Sequence, residues 1–468
     1  MTFEEATGRL AARAARDPLL APLARAARDR GWRVWLVGGF VRDLLLGRNR
    51  AGRDVDLVVG EPRREILAWL AERSGHAPVT FAKRVVDHRM TIAGRELDAV
   101  ELDERPLIEE LARRDFKANA VAFDLAAAAL EDPLGGVADL AAGALDPPRD
   151  DAFADDPLRL LRGPRIAAEI PALALTPRAR ALAARDAALL AGAAPERVVA
   201  EIDRMLLAPR PSRAVAELDA LGLAEVVLPE IAAARGVAQN RHHHLDVWGH
   251  TLAALAAADR PRLLGRGVVP PERLPEGERL ATLRWALLLH DLGKPATRAV
   301  RPNGEASFFR HEVVGAEIAE RIAKRLCFGR ARAAALTTLV RLHLRLVVPA
   351  EGLLSRRALG RIAREAGDAA EPLALHALAD QAASRGVQHR AVRAALRETC
   401  RRFLAVRDEL AAARAAGPLV DGRAVMRALG VAEGPEVGAA LREIEELRLA
   451  GRLKTADDAL AYLAARRR

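Results

Sequence analysis

The stretch Gly38-Gly-Phe-Val-Arg-Asp43, followed by Asp54-Val-Asp56-Leu-Val-Val59, decides the fold of the N-terminal part of this chain. The paired glycines predict a turn that opens a helix, where backbone N–H groups can approach an anion closely. The Asp-Val-Asp run predicts a strand, in which residues two apart share a face, so Asp54 and Asp56 can hold metal together. Divalent cations on such a pair bind the attacking and leaving oxygens of a displacement at phosphorus. These features indicate a nucleotide-transfer site, with Arg42 as a further phosphate contact.

Short β-rich runs alternate with helical segments on either side of this motif. The runs are Val34–Gly38, Val55–Val59, Val79–Phe81, Arg89–Ile92 and Leu97–Val100. The sheet region ends near Pro147-Pro148, and the remaining sequence is helical by its period, with Pro and Gly as breaks. The pattern predicts an α+β fold, in which a head with a sheet precedes a long helical body.

Composition limits the class of protein. The 468 residues include 73 Lys and Arg against 63 Asp and Glu, a net charge of +10 that suits a polyanionic partner. Cys327 and Cys400 are the only cysteines, which excludes a disulfide framework and a thiolate metal cage. No signal peptide opens the sequence, and no apolar run reaches the roughly 20 residues that span a bilayer. We expect a cytoplasmic protein without a membrane partner.

Two further segments predict a nucleotide pocket. Asp115 and Asn119 are four residues apart, a spacing that places both on one helical face, where they could bond a ribose hydroxyl. Asp156 precedes Arg159 by three residues. A carboxylate beside a guanidinium matches the amine donor and ring-nitrogen acceptor of cytosine and adenine, and it rejects uracil and guanine. The alternative for this pair is an ordinary salt bridge on a helix.

Taken in order, these motifs resemble class II tRNA nucleotidyltransferases, the CCA-adding enzymes, and their bacterial poly(A) polymerase relatives. The motifs are 38–43, 54–56, 113–116, Asp132-Pro-Leu-Gly-Gly-Val-Ala-Asp139, 156–162 and Pro195-Glu-Arg197-Val-Val-Ala-Glu201. The resemblance implies a polymerase-beta-like nucleotidyltransferase head with a mixed sheet, and a mostly helical remainder. The implied divisions are a head at 1–147, a neck at 148–225, a body at 226–395 and a tail at 396–468.

The resemblance also implies roles for individual residues. Asp54 and Asp56 would carry Mg²⁺, and Asp98 on a nearby predicted strand is a candidate third carboxylate. The residues implied to bind the nucleotide are Gly38, Gly39, Arg42, Arg114, Asp115, Asn119, Asp156, Arg159, Arg162 and Arg165. The expected substrates are CTP, ATP and the 3′ end of tRNA.

Four departures from the family pattern bear on the choice of nucleotide. Relatives that add all three nucleotides usually carry a flexible loop before the Arg-Arg-Asp motif, whereas this chain has only residues 103–112 there. Lys117 replaces the usual Thr, Asp155 replaces a Glu, and Gly163-Pro164 is expected to interrupt a helix and redirect Arg162 and Arg165. An enzyme that adds only C or only A is therefore an open alternative, and poly(A) polymerase is another.

A second group of residues predicts a metal site in the body. The group is His250, His290, Asp291, His311, His343 and Asp380. Imidazole and carboxylate ligands projecting from several helices suit a divalent transition metal that activates water. The segment around His290-Asp291 resembles the HD phosphohydrolase domain, which in CCA-adding relatives removes phosphates and 2′,3′-cyclic phosphates. A phosphohydrolase whose head only binds RNA is the alternative from a different class.

Basic residues predict where RNA binds. Arg390, Arg393, Arg397 and Arg401 recur at three and four residues and form one stripe on a predicted helix. Such a stripe could follow the phosphates of tRNA, although a solvated helix face fits the pattern equally well. His242-His-His244 is a weaker signal, for which a solvated loop is the favoured interpretation.

Overall fold

The structure is a computed structural model that describes residues 3–48, 54–75, 79–80, 87–240, 244–347, 353–384, 389–449 and 451–466. The chain divides into two compact units. Unit 1 consists of residues 1–205 and 217–227, and unit 2 consists of residues 206–216 and 228–468. His242 and His243 lie outside the described residues, whereas His244 is exposed.

Unit 1 contains a seven-stranded mixed sheet with the order β3-β4-β5-β2-β1-β6-β7. Its strands are β1 Val34–Val37, β2 Val55–Val59, β3 Val79–Thr80, β4 His88–Ile92, β5 Arg95–Glu101, β6 Ala122–Asp124 and β7 Ala129–Glu131. The pair β2–β5 is parallel and the other pairs are antiparallel, so the predicted mixed sheet is confirmed. The first five strands match the predicted runs, although Phe81 lies outside the described residues. The alanine-rich pair β6–β7 carries little β-propensity and was not predicted.

Helices cover the sheet and continue the unit beyond it. They are α1 Phe3–Arg16, α2 Leu20–Arg30, α3 Gly38–Leu45, α4 Arg63–Ser74, α5 Leu107–Ala112, α6 Gly136–Ala142, α7 Ala152–Asp155, α8 Arg159–Glu169, α9 Pro177–Asp186, α10 Pro195–Leu207, α11 Pro211–Ala220 and α12 Leu223–Val227. The end of α10 and the first part of α11, residues 206–216, are assigned to unit 2. A short parallel pair, β8 Ala144–Leu145 and β9 Ala174–Leu175, joins the region around α6 to the start of α9. One face of the sheet buries Trp35, Val37 and Val58 against Leu107 and Leu111 of α5.

The helix α8 corrects one expectation. Gly163 and Pro164 do not interrupt it, because α8 runs without a break from Arg159 to Glu169. Both residues are buried. A Cβ atom at Gly163 would lie 2.7 Å from Leu175 Cδ2 and 3.1 Å from Phe116 Cζ, so close packing accounts for the glycine. Arg162 and Arg165 therefore project from a continuous helix.

Unit 2 is largely helical. Its elements are α13 Val247–Ala257, α14 Pro261–Leu264, α15 Gly277–Leu289, α16 Lys294–Thr297, β10 Arg298–Val300, β11 Ala306–Phe308, α17 His311–Arg325, α18 Arg330–Leu342, α19 Arg356–Ala366, α20 Ala370–Ala383, α21 His389–Ala415, α22 Gly422–Leu429, α23 Pro435–Leu449 and α24 Ala456–Arg466. Almost every residue of α20 is buried, and α13, α15, α18 and α21 pack around it. Helices α22 to α24 have an apolar core of their own, centred on Val425, Ile444 and Leu463.

Two observations bear on the expected organisation of this part of the chain. The helix α21 continues through residues 395 and 396, where the predicted boundary between body and tail falls. The hairpin β10–β11 also interrupts a region that was predicted to be entirely helical. The sequence signal for it was Pro302-Asn303-Gly304, since Gly304 turns the chain at a φ of 80°. No helix in the described part of the chain is long and apolar enough to cross a lipid bilayer.

Candidate active sites

The junction of β1 and α3 shapes the site in unit 1. Gly38 has a φ of 76°, and a Cβ atom there would lie 2.3 Å from Asp56 Oδ2. Asp56 pairs in register with Val37 of β1 and with Asp98 of β5. The glycine therefore lets the start of α3 approach the carboxylate of Asp56, as the sequence motif predicted.

The predicted metal-binding carboxylates differ in their surroundings. Asp54 is exposed, and Asp56 is half-buried. Burial raises the pKa of Asp56 above its ordinary value, and the charge of Arg114 opposes that change. Asp98 lies beside Asp56, but both of its oxygens accept hydrogen bonds of 2.8 Å from Arg89. Among the described residues these aspartates do not form a tight cluster of three ligand atoms.

A continuous chain of polar contacts connects the predicted nucleotide-binding residues. Arg42 donates to Asp43 at 2.8 and 3.0 Å and to Asn119 Oδ1 at 3.0 Å. Asn119 donates to Asp115 Oδ1 at 2.7 Å, and Arg162 Nε lies 2.7 Å from Asp115 Oδ2. The structure therefore brings these residues together, although a 3₁₀ turn rather than the expected α-helix separates Asp115 from Asn119.

This chain of contacts fixes the charge of Asp115. Burial by itself would raise the pKa of Asp115, but the nearby Arg162 guanidinium and hydrogen bonds from Asn119 and the Phe116 N–H lower it to about 2. The Asp115 carboxylate in turn raises the pKa of Arg162. The pair is thus ionised throughout the neutral range.

Two further predicted arginines have different environments. The Nε and Nη2 atoms of Arg114 are buried without a hydrogen-bond partner among the described residues, and its nearest ionic contact is Glu110 at 4.0 Å. These donors are available to a ligand. Arg165 is already paired, with Glu201 at 2.7 Å and with Glu169 at 2.9 Å. Arg165 therefore joins α8 to α10.

The predicted base-reading pair is separated in this structure. Arg159 is buried and donates to two backbone carbonyls, Ala152 O at 2.8 Å and Arg113 O at 2.5 Å. Asp156 accepts from the Leu158 N–H at 3.2 Å, and Arg197 lies 3.4 Å from its other oxygen. No side-chain hydrogen bond or ion pair joins Asp156 to Arg159 among the contacts of the described residues. The two are close along the backbone, since Asp156 follows the short helix α7 and its carbonyl accepts from the N–H of Arg159, the first residue of α8, at 3.0 Å.

The predicted ligands of the second site converge in the interior of unit 2, and each is at most 9% exposed. His290 and Asp291 follow α15, and His343 follows α18. His250, His311 and Asp380 lie on helices. Together they form two groups of three, in each of which one ligand atom per residue lies within 4.8 Å of the others: His250, His290 and Asp380, and Asp291, His311 and His343.

Asp291 lies between the two groups. His250 Nε2 is 2.8 Å from Asp380 Oδ1, and His290 Nε2 is 3.8 Å from the same oxygen. His290 Nε2 is also 3.2 Å from Asp291 Oδ2, whereas His311 Nε2 is 3.3 Å from Asp291 Oδ1. Asp291 thus has one oxygen near a histidine of each group, and the six residues would together hold metal that activates water.

Backbone carbonyls orient three of the imidazoles. The Nδ1 atoms of His290, His311 and His343 lie 2.9, 2.8 and 2.7 Å from the carbonyl oxygen of the residue three positions earlier. Hydrogen bonding at Nδ1 leaves Nε2 as the ligand atom. These three Nε2 atoms, with Asp291 Oδ1, are buried and have no hydrogen-bond partner among the described residues. The site therefore fits a divalent metal.

The charges at this site also suit a metal. Burial would raise the pKa of Asp291, but the neighbouring His290 and Lys294 keep it well below its ordinary value. His250 similarly lowers the pKa of the Asp380 carboxyl despite its burial. Burial lowers the pKa of His343. Ionised carboxylates and a neutral imidazole are the forms that bind metal.

Three residues at the second site were not predicted. Lys294 Nζ lies 2.7 Å from Asp291 Oδ2 and 2.6 Å from Gln239 Oε1. His376 is fully buried, one helical turn before Asp380, and its ring centroid is 5.2 Å from that of His290. Burial lowers the pKa of His376 to about 3. The spacing of four between His376 and Asp380 on one helix was the available signal.

The predicted RNA-binding stripe on α21 is not uniform. Arg390, Arg393 and Arg401 are exposed, and Arg401 pairs with Glu398. Arg397 is half-buried and donates to the carbonyl oxygens of Leu264 and Arg266. Arg397 therefore anchors α21 to the segment after α14.

Comparison with protein families gives three matches along the chain. Residues 34–146 match the poly A polymerase head domain. Residues 172–235 match the probable RNA and SrmB-binding site of polymerase A, and residues 247–381 match the HD domain. The first match contains the Asp54–Asp56 site, and the third contains all six ligands of the second site.

Two curated relatives match almost the whole chain. An A-adding tRNA nucleotidyltransferase of Deinococcus radiodurans is 35% identical over 92% of this chain and 94% of its own length. A CC-adding tRNA nucleotidyltransferase of Thermus thermophilus is 35% identical over 91% of this chain and 92% of its own length. A solved structure of a Thermotoga maritima CCA-adding enzyme complexed with tRNA shares the fold, with a TM-score of 0.64 and 17% identity over 98% of both chains. The chain therefore belongs to the family of tRNA nucleotidyltransferases, with a polymerase-type head and an HD domain.

Proposed function

We propose that this enzyme adds C, A or both to the 3′ end of tRNA from CTP and ATP, at the site formed by Asp54, Asp56 and Asp98. The close approach of Gly38 to the Asp56 carboxylate supports the proposal, because the start of α3 then lies beside the strand that carries Asp56. Magnesium bound there supplies charge neutralisation at the reacting phosphate. Asp98 accepts one hydrogen bond from Arg89 at each oxygen and keeps further lone pairs with which it would act as a ligand.

The surrounding residues have complementary roles. Arg42 and the N–H groups at the start of α3 bind the triphosphate. Arg114, with its buried and unpartnered donors, contacts the nucleotide, and Asp115 with Asn119 orients the ribose. Asp156 and Arg159 select the base once Arg159 exchanges one of its carbonyl contacts for the nucleotide. Arg162 and Arg165 hold α8 in place, through Asp115 and Glu201 respectively.

A second activity, phosphoester hydrolysis, is proposed for the HD domain. The buried Nε2 atoms and the two groups of possible ligands support a site at which His250, His290, Asp291, His311, His343 and Asp380 would hold divalent transition metal. A bound metal supplies an activated water at neutral pH. Opening a 2′,3′-cyclic phosphate consumes one water: a P–O bond forms, the bond to one ribose oxygen breaks, and that oxygen leaves as a hydroxyl. Lys294 holds Asp291 in its ionised form.

One experiment with three tRNA transcripts would determine the nucleotide specificity. The transcripts end before CCA, after the first C and after CC. Each is incubated with Mg²⁺ and CTP, ATP or both, and the products are resolved at single-nucleotide length. Completion of all three ends assigns a CCA-adding enzyme. Arrest after CC, or extension of the CC-ended transcript alone, assigns a CC-adding or A-adding enzyme, the specificities of the two relatives. Failure of wild type to extend any transcript would contradict the proposed transferase.

Separate variants distinguish the two activities. Asp56→Asn is expected to abolish nucleotide transfer and to leave hydrolysis of 2′,3′-cyclic AMP intact, and Asp291→Ala is expected to do the reverse. Loss of both activities in both variants, with unchanged melting curves, would contradict two independent sites. We further propose that the enzyme acts in the cytoplasm. We also propose that the head at 1–147, the neck, the HD body and the helical tail are parts of the chain with separate functions.

A further inference from the structure

The hairpin β10–β11 lies between two ligands of the HD site along the chain, after Asp291 and before His311. The segments on either side of it contact that site. The Phe308 carbonyl at the end of β11 lies 2.8 Å from His311 Nδ1. Before the hairpin, at the start of α16, a Cβ atom on Gly293 would lie 2.1 Å from His311 O, so the backbones of these segments are in close contact. The hairpin is therefore held at the edge of the metal cluster.

This hairpin exposes an aromatic ring. Phe309 is 83% exposed, more than any other large hydrophobic residue among those the structure describes, and Val300 on β10 is 60% exposed. An isolated two-stranded hairpin gains little stability of its own, and leaving a phenyl ring in water forgoes the benefit of burying it. Folding of unit 2 does not explain this position.

Arg310, the next residue, adopts an unfavourable backbone conformation. Its φ is 61°, in the left-handed region that glycine occupies without strain. For a residue with a Cβ atom this conformation costs roughly 1–2 kcal/mol. An exposed arginine at such a position, directly before the ligand His311, is typical of a residue kept for contact with a ligand.

The charge of the hairpin is positive. Arg298, Arg301 and Arg310 are exposed, and no ion pair involves any of them among the contacts of the described residues. Glu305 is the hairpin's single acidic residue between Arg298 and Arg310. An aromatic face with free guanidinium groups is the combination that binds single-stranded nucleotides, through stacking of the base and contacts to phosphate.

We propose that this hairpin is the nucleobase platform of the HD site: Phe309 stacks on the base of the nucleotide whose phosphoester is cleaved, and Arg310 contacts the phosphate. The inference rests on the proposed hydrolase activity. It assigns the substrate class, namely a nucleotide or RNA terminus rather than a small phosphoester without a base. Since any base offers a π-face, the platform is tolerant of base identity.

Phe309→Ala is tested against 2′,3′-cyclic AMP and against the same ribose cyclic phosphate without a base. Loss of stacking is expected to raise KM for cyclic AMP about 5- to 100-fold and to leave kcat and the abasic substrate unchanged. Phe309→Tyr, which keeps a flat ring, is expected to behave like wild type. Leu263→Ala removes another exposed apolar side chain, 62% exposed on α14, and is the matched control. Calorimetric titration of adenosine 3′-monophosphate is expected to show the same loss as a weaker affinity.

The variant Arg310→Gly distinguishes a role of Arg310 in nucleotide binding from a role in folding. Glycine relieves the strained backbone, so the melting temperature is expected to hold or rise, while the affinity for adenosine 3′-monophosphate falls; Arg310→Lys is expected to retain part of it. Two results would contradict different proposals. If wild type cleaves neither substrate, the hydrolase proposal fails. If wild type cleaves both substrates and Phe309→Ala has the same KM values as wild type, the hydrolase proposal stands and the proposed nucleobase platform is overturned.

Discussion

At the scale of single residues, the transferase site depends on very short distances. The carboxylate of Asp56 can lie against Gly38 only because glycine has no side chain. Arg42, Asn119, Asp115 and Arg162 are joined by hydrogen bonds and an ion pair before any substrate binds. A pocket arranged in advance loses little energy to reorganisation during the reaction.

Gly38→Ala is expected to reduce nucleotide transfer by about 100-fold, because the new Cβ atom must displace Asp56 by a distance of order 1 Å. The measurement is the rate of single-nucleotide extension of a tRNA transcript. Gly31→Ala is the matched control, since Gly31 also has a positive φ of 67° but has open space around it. Equal losses in the two variants would attribute the effect to backbone strain alone.

Asp115 makes stability depend on pH. Its pKa is about 2 in the folded chain against an ordinary 3.8, so it stabilises the fold above pH 4, and that contribution disappears as the pH falls from about 4 to 2. At pH 7 the contribution is about 2 kcal/mol. Asp115→Asn is therefore expected to lower the melting temperature at pH 7, and the difference from wild type is expected to narrow below pH 4. A difference that is constant from pH 7 to pH 3 would contradict this assignment.

Residue types and spacing predicted which side chains lie together, but not all of their contacts. The six residues predicted as HD-site ligands were singled out because imidazoles and carboxylates are rare in apolar helices, and the structure brings them together. The Arg89–Asp98 pair and the carbonyl contacts of Arg159 depend on tertiary positions that no local pattern encodes. His376 was missed because its spacing of four from Asp380 is a weak signal that belongs to no motif.

At the scale of secondary structure, the predicted strands up to Val100 were confirmed because β-branched runs with glycine breaks are a strong local signal. The hairpin β10–β11 was missed because its strands are three residues each, with exposed side chains on β10 and half-buried ones on β11. The interruption expected at Gly163-Pro164 was wrong, since buried packing against Leu175 and Phe116 outweighs the unfavourable intrinsic propensity.

Gly293→Ala tests the packing of the segment after α15 against the start of α17. Its Cβ atom would lie 2.1 Å from His311 O and 2.6 Å from Gly315 N, both backbone atoms that cannot rotate away. Displacement of His311 is expected to weaken metal binding about 10- to 100-fold and to leave transfer intact. Metal content by mass spectrometry is the measurement. Gly329→Ala, in open space before α18, is expected to retain the metal.

Helix α21 carries two kinds of arginine: Arg393, which is predicted to contact RNA, and Arg397, which supports the fold. Arg393→Ala is expected to weaken tRNA binding and to reduce the slope of log K against log[salt] by about 1, because one phosphate contact is lost. Arg397→Ala is expected to lower the melting temperature instead, since Arg397 holds the carbonyls of Leu264 and Arg266. Filter binding at several salt concentrations distinguishes the two. An unchanged slope for Arg393→Ala would assign that face to solvent.

At the scale of the whole molecule, each compact unit contains one of the two predicted sites. All of the predicted transferase residues lie in unit 1, and all six predicted HD ligands lie in unit 2. Because each predicted site takes its residues from one unit, the stabilities of the two units are expected to respond separately to metal.

Removal of metal is expected to lower one thermal transition selectively. A metal present at 100 times its Kd stabilises the unit that binds it by about 2.7 kcal/mol, and the chelator reverses this. Scanning calorimetry of wild type with and without chelator is expected to shift the transition of unit 2. The Asp291→Ala variant is the control, and its transition should not respond. An equal response in that variant would place the stabilising metal elsewhere.

The three imidazoles that bond a carbonyl three residues earlier imply a transferable design element. Each orientation is encoded within four consecutive residues, at 287–290, 308–311 and 340–343. Two of these segments end a helix and the third begins one, so the device does not depend on the polarity of the element. Grafting such four-residue cassettes onto the ends of helices in an engineered bundle would pre-orient histidines towards a shared centre without remote supporting side chains.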